Sequence, residues 1–165
     1  MGNNLPFLEF GTDRTVTSMS VGGYHVCVVL DDETAKCCGY GSYLGYSGTT
    51  NRYESNSLPT IDFGSSAIFR IAASFQQTVF LLRDGSMKAI GYNTYRALGY
   101  GDTSTRYNIN PDDSLPALDL GSGVSVSSVV SFNNYNGCIV SATKQVKCWG
   151  YYVRGYGDTV DRGYS

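Results

Sequence analysis

The chain has 165 residues, of which 42% are hydrophobic and 16% charged, with a formal net charge of −2. That balance is an ordered globular composition, long enough for an ordinary core and too apolar for disorder. A pI near 5.2 leaves no broad basic surface, which argues against electrostatic docking on nucleic acid or an anionic membrane.

The N-terminal stretch "MGNNLPFLEF" lacks a basic and an apolar region, so it does not read as a signal peptide. The longest apolar run, "VCVVL", is far too short to span a bilayer. "NLPFLEFG", "SLPTIDFG" and "SLPALDLG" place a Leu-Pro pair at Leu5, Leu58 and Leu115, at intervals of 53 and 57 residues. Each leads to a segment with rough two-residue alternation, "VTSMSV", "FRIAAS" and "VSVSSVV", which predicts a short strand. A second landmark closes at Gly39, Gly91 and Gly150, and a glycine- and tyrosine-rich connection then reaches Arg52, Arg106 and Arg162. Landmarks recurring in one order identify a repeat architecture. The units are 1–57, 58–114 and 115–165.

The phrases closing at those glycines are "CVVLDDETAKCCG", "VFLLRDGSMKAIG" and "CIVSATKQVKCWG". Cys27 and Cys37 stand ten residues apart, as do Cys138 and Cys148; the second unit replaces both, with Val79 and Ala89. Setting Cys27 opposite Cys37 makes a hairpin in which Leu30 faces Thr34 around the loop "DDE", with "RDG" and "ATK" in the other units. Three-residue loops favour a left-handed third residue, and Gly85 suits that position. Glu33 and Lys144 predict turns that are more strained or differently shaped.

In this register the cysteines form a cross-strand pair with Cα atoms about 4.5 Å apart, within disulfide range. Closing so short a loop contributes roughly 2–3 kcal/mol. Bridges Cys27–Cys37 and Cys138–Cys148 are expected, with buried reduced thiols as the alternative. Zinc is disfavoured, since one histidine and no CxxC leave a tetrahedral site short of ligands. Cys38, whose counterparts are Ile90 and Trp149, reads as a small apolar core residue, with an intermolecular bridge as the alternative. Paired cysteines point to an oxidising, extracellular or cell-surface setting, with the cytoplasm as the alternative.

With these residues assembled, the chain resembles the regulator-of-chromosome-condensation repeat family. The first unit carries the family phrase at Gly22, His25, Cys27, Asp32, Cys37, Gly39 and Gly45. The second carries it at Ile71, Ala72, Asp84, Gly85, Gly91, Asn93, Leu98, Gly99 and Gly101, and the third at Cys138, Cys148, Trp149, Gly150, Gly155 and Gly157. The cysteine-bearing form, with its "LPxxDLG"-type linker, resembles the secreted or cell-surface branch of that superfamily. The resemblance implies an all-β protein of about three antiparallel, four-stranded propeller blades. Family propellers close with about seven blades, so three make an incomplete propeller or part of a stacked assembly.

Catalytic machinery is not evident. His25 is the sole histidine, and Gln77 and Asn136 occupy its place in the other units, so it reads as a hydrogen-bonding residue rather than a base. Asp102 and Asp158 in "GYGDT", and the "PDD" of 111–113, read as turn residues, since lone carboxylates fall short of a calcium shell. No metal or other cofactor is expected. The interface candidates are Tyr43, Tyr46, Tyr95, Tyr100, Tyr152 and Tyr156, with packing between repeats as the alternative role. The function expected is a non-catalytic scaffold associating with copies of itself, open to filament formation. The other readings are a propeller module for a protein or glycan and, more remotely, a fragment resembling an exchange factor for a small GTPase. Neither nucleic-acid binding nor membrane insertion is expected.

Overall fold

The computed structural model describes residues 4–64, 66–107, 115–151 and 156–157. The chain is all-β, with one repeat of strand, strand, strand in each unit. Blade 1 holds β1 (Val16–Val21), β2 (His25–Leu30) and β3 (Ala35–Gly39). Blade 2 holds β4 (Ile68–Ala73), β5 (Gln77–Leu82) and β6 (Met87–Gly91), and blade 3 holds β7 (Val126–Phe132), β8 (Asn136–Ser141) and β9 (Val146–Gly150). Each blade is an antiparallel sheet in chain order. Among the described residues, no helix is long and apolar enough to cross a membrane.

The hairpin register is the expected one. Cys27 pairs with Cys37, Val79 with Ala89 and Cys138 with Cys148. Both cysteine pairs are bridged, with Cα atoms 4.1 and 4.2 Å apart. The three loops share one shape. Leu30, Leu82 and Ser141 each accept the N–H of the third loop residue, at 3.0, 3.0 and 2.9 Å. Glu33, Gly85 and Lys144 all take left-handed φ values, of 64°, 81° and 66°. Glu33 and Lys144 thus bear the backbone strain without changing the turn, because the flanking ladder dictates it. Lys144→Gly is expected to raise stability by about 1 kcal/mol, read as a higher urea midpoint at unchanged slope.

The expected fourth strand is a correction: among the described residues each sheet has three strands. The chain returns past the outer strand but touches it only at points. Arg52 pairs with Gly39 and Arg106 with Gly91, and the linker meets the other end of β3 at Ile61, opposite Ala35. In blade 2 the linker makes the matching bond, Leu118 N–H donating to the Met87 carbonyl at 2.8 Å. Between those contacts, side chains satisfy the outer strand instead of a ladder.

Two cores lie between the blades. The first joins Cys27, Val29, Ala35 and Cys37 of blade 1 to Ile68, Ile71, Phe80, Leu82 and Ile90 of blade 2. The second joins Val79, Leu81, Met87 and Ala89 to Val126, Ile139 and Trp149 of blade 3. Period-two alternation explains both, since each blade shows one face backward and the other forward. The Cys27–Cys37 bridge lies on a forward face and is fully buried. Val79 and Ala89 fill its place in blade 2.

Candidate functional site

The tyrosines fall into two groups. Tyr46, Tyr100 and Tyr156 reach back to the outer strand at the second cysteine position. The Tyr46 hydroxyl accepts the Cys37 N–H at 2.8 Å. Tyr100 accepts from the Ala89 N–H at 2.9 Å and donates to the Ala89 carbonyl at 3.1 Å. Tyr156 does the same at Cys148, at 3.0 and 3.2 Å. A phenol both donates and accepts, so one ring satisfies the two outward groups of an edge residue. Burial pushes the Tyr46 and Tyr100 hydroxyls up to about 12.

Arg52 lies 5.0 Å over the Tyr46 ring and Arg106 4.0 Å over Tyr100. Arg106 also grips Asp102 with two nitrogens, at 3.0 and 2.7 Å, holding that carboxyl below its usual range. Asp102 therefore ties its connection closed. Tyr152, Asp158, Arg162 and the 111–113 turn lie outside the described residues.

The second group forms an aromatic rim where the turns before β2, β5 and β8 meet the segments after β3, β6 and β9. Tyr43 stacks on Tyr40 at 5.3 Å, and Tyr24 packs on Phe75 at 4.7 Å. One blade on, Tyr95 packs on Tyr135 at 4.8 Å and on Tyr151 at 5.3 Å. Tyr24, Phe75 and Tyr135 were not among the sequence candidates. The available signal was their shared place just ahead of each middle strand.

His25 lies under this rim. Its Nε2 is 2.7 Å from the Thr78 hydroxyl, which donates to the Tyr43 carbonyl at 2.7 Å. Because that hydroxyl spends its proton on the carbonyl, Nε2 is the protonated nitrogen and Nδ1 is left buried without a partner. Burial lowers the imidazole to about 4. The counterparts bond a different carbonyl, that of the residue just after their own outer strand: Gln77 donates to Tyr92 at 2.8 Å and Asn136 to Tyr151 at 3.2 Å.

The outer flanks are the other feature. Val16 and Met19 of β1 are 42% and 60% exposed, whereas Ile68 and Ile71, at the same positions of β4, are 1% and 7% exposed. On the opposite flank Val146 is 66% exposed, while Ala35 and Met87 at its position are fully buried. At each internal junction a loop carbonyl of one blade accepts from the first strand of the next. Ile68 N–H donates to Glu33 at 2.8 Å and Val126 N–H to Gly85 at 2.9 Å. An ion pair between Glu33 and Arg83 closes the first junction.

Stacked antiparallel blades, each with its outer edge capped by a tyrosine, define an all-β segment of the propeller kind. Residues 16–43 match the family model described as Regulator of chromosome condensation (RCC1) repeat. Human WBSCR16 is similar in structure, with a TM-score of 0.73 at 21% identity, over 92% of this chain and 38% of that one. Yeast RCC1 (Prp20), solved bound to Kap60, gives 0.66 at 16% identity over 90% and 36%. The fold is thus that of RCC1-type propellers, and the chain spans a little over a third of the length of these two. The comparison with curated protein sequences found no match.

Proposed function

We propose that the protein is a non-catalytic repeat scaffold that associates head to tail with further copies of itself, blade 3 of one chain seating against blade 1 of the next. The observation that carries this reading is the contrast at equivalent positions: residues buried wherever a blade has a neighbour are exposed on both flanks. Val16, Met19 and Val146 are apolar, as internal junctions require, and a cavity of about 450 Å³ lies beside Val146.

Charge supports the same order. Lys144 stands where Glu33 stands, and Asp31 stands where Arg83 stands. A third junction built like the first would pair Lys144 with Asp31 of the next copy, reversing the Glu33–Arg83 polarity. Such a contact is heterologous and gives a ring or a filament, depending on whether the rotation closes. The two disulfides favour an oxidising, extracellular setting, in keeping with the secreted branch. What supports a non-catalytic role is that the one imidazole is buried and committed to a junction.

Sedimentation velocity across a concentration series tests the reading. The expected result is a mass distribution that grows with concentration and collapses to one chain in Met19→Asp or Val146→Asp. Lys144→Glu should weaken association, and mixing it with Asp31→Lys should restore it. A wild-type protein that stays a single chain at the highest concentration reached would overturn the proposal.

A further inference from the structure

We propose that the aromatic rim is a groove for a neutral, hydroxyl-rich glycan chain. Its first cluster encloses a cavity of about 330 Å³ lined by Tyr24, Tyr40, Tyr43 and Gln76. The second cluster, Tyr95 with Tyr135 and Tyr151, repeats the arrangement one blade away. An amide relay joins them. Gln76 donates to the Tyr43 hydroxyl at 2.8 Å, and Asn134 of blade 3 donates to Gln76 Oε1 at 3.1 Å. Both clusters present rings that are about half exposed, Tyr24, Tyr40 and Phe75 in one and Tyr135 in the other.

The lining selects the ligand. Among the described residues the lining is phenols and a carboxamide, with no carboxylate, guanidinium or ammonium group, which suits an uncharged ligand. Tyrosine rings offer electron-rich faces to the polarised C–H bonds on the flat side of a pyranose. Among the described residues, no protein group bonds the Tyr24 and Tyr40 hydroxyls, which leaves them for sugar hydroxyls.

The relay ends at Asn134, whose Oδ1 is enclosed by protein and has no hydrogen-bond partner among the described residues. Aromatic grooves also bind proline-rich peptides, but proline carries no N–H and so offers the Tyr24 and Tyr40 hydroxyls fewer partners than a sugar does. A polymer with a regular repeat suits two clusters one blade apart.

The test is titration calorimetry of the intact protein against uncharged hexaoses: cellohexaose, xylohexaose, mannohexaose and laminarihexaose. Polygalacturonate oligomers and a proline decapeptide serve as comparison ligands. At least one neutral hexaose is expected to bind. Tyr24→Ala and Tyr135→Ala should each lower affinity roughly tenfold, and Tyr24→Phe by much less. Both rings are exposed, so thermal melts of the variants should match the wild type. The proposal is overturned by no binding to any neutral hexaose, by tighter binding of the proline peptide, or by unchanged affinity in both alanine variants.

Discussion

Trp149→Ala is expected to cost about 3–5 kcal/mol. The indole is buried at the backward face of β9, against the forward face of blade 2. It meets Phe132 edge-on at 5.8 Å and donates from Nε1 to the Ala97 carbonyl at 2.9 Å. The ring occupies space that glycines leave open. A Cβ on Gly99 would fall 2.7 Å from Nε1, and one on Gly137 would fall 2.8 Å from the six-membered ring. Alanine removes the packing and also leaves the Ala97 carbonyl without its donor.

Because repeat stacks are held by nearest neighbours, the loss should fall on the junction between blades 2 and 3. Urea unfolding followed by far-ultraviolet circular dichroism should therefore split into two steps, or show a reduced slope. Trp149→Phe, which keeps a ring and loses the donor, should recover more than half of the stability. A single sharp transition in Trp149→Ala, within about 1 kcal/mol of wild type, would count against Trp149 as the key between these blades.

The parts of this architecture legible in the sequence were those set by local pairing. A two-residue period and a three-residue loop decide which side chains face each other, so the ten-residue spacing was consistent with Cys27 opposite Cys37 and the repeats supported that register. The joint replacement by Val79 and Ala89 marked the pair as one unit. The fourth strand was implied by family resemblance, and here the physics differs. The returning chain is rich in glycine and tyrosine, and it satisfies the outer edge with the hydroxyls of Tyr46 and Tyr100 and a few backbone bonds. No periodicity reports that substitution. The tyrosines also hid two roles in one composition. Tyr46 and Tyr43 are three residues apart, yet one hydroxyl turns inward to Cys37 and the other meets Gln76 of the next blade. Only the junction geometry separates them, and that geometry also brings in Tyr24, Phe75 and Tyr135 from turns lacking any motif.

Acid should open the junction between blades 1 and 2 before carboxylate protonation matters. His25 has its pKa lowered from 6.5 to about 4 by burial, so between those values the unfolded chain holds a proton that the folded chain refuses. Stability then rises with pH across that window: it is complete above pH 6.5 and lost progressively as the pH falls toward 4. The depression corresponds to about 3 kcal/mol. Asp32, Asp84 and Asp102 are held below their usual value of 3.8 by hydrogen bonds from Thr34, Ser86 and Arg106, so their contribution is lost at still lower pH.

Protonation would place an N–H at Nδ1, which has no acceptor and lies close under Gly22. The cost falls on the His25–Thr78–Tyr43 chain, which spans blades 1 and 2. Trp149 fluorescence reports the other junction, whereas the near-ultraviolet dichroism of the clustered tyrosines includes Tyr24, Tyr40 and Tyr43. Between pH 6 and 4.5 the tyrosine signal should therefore change before the tryptophan signal. His25→Gln, which installs the residue that blade 2 uses at this position, should flatten the pH dependence. Equal slopes in wild type and His25→Gln would show that the acid response originates elsewhere.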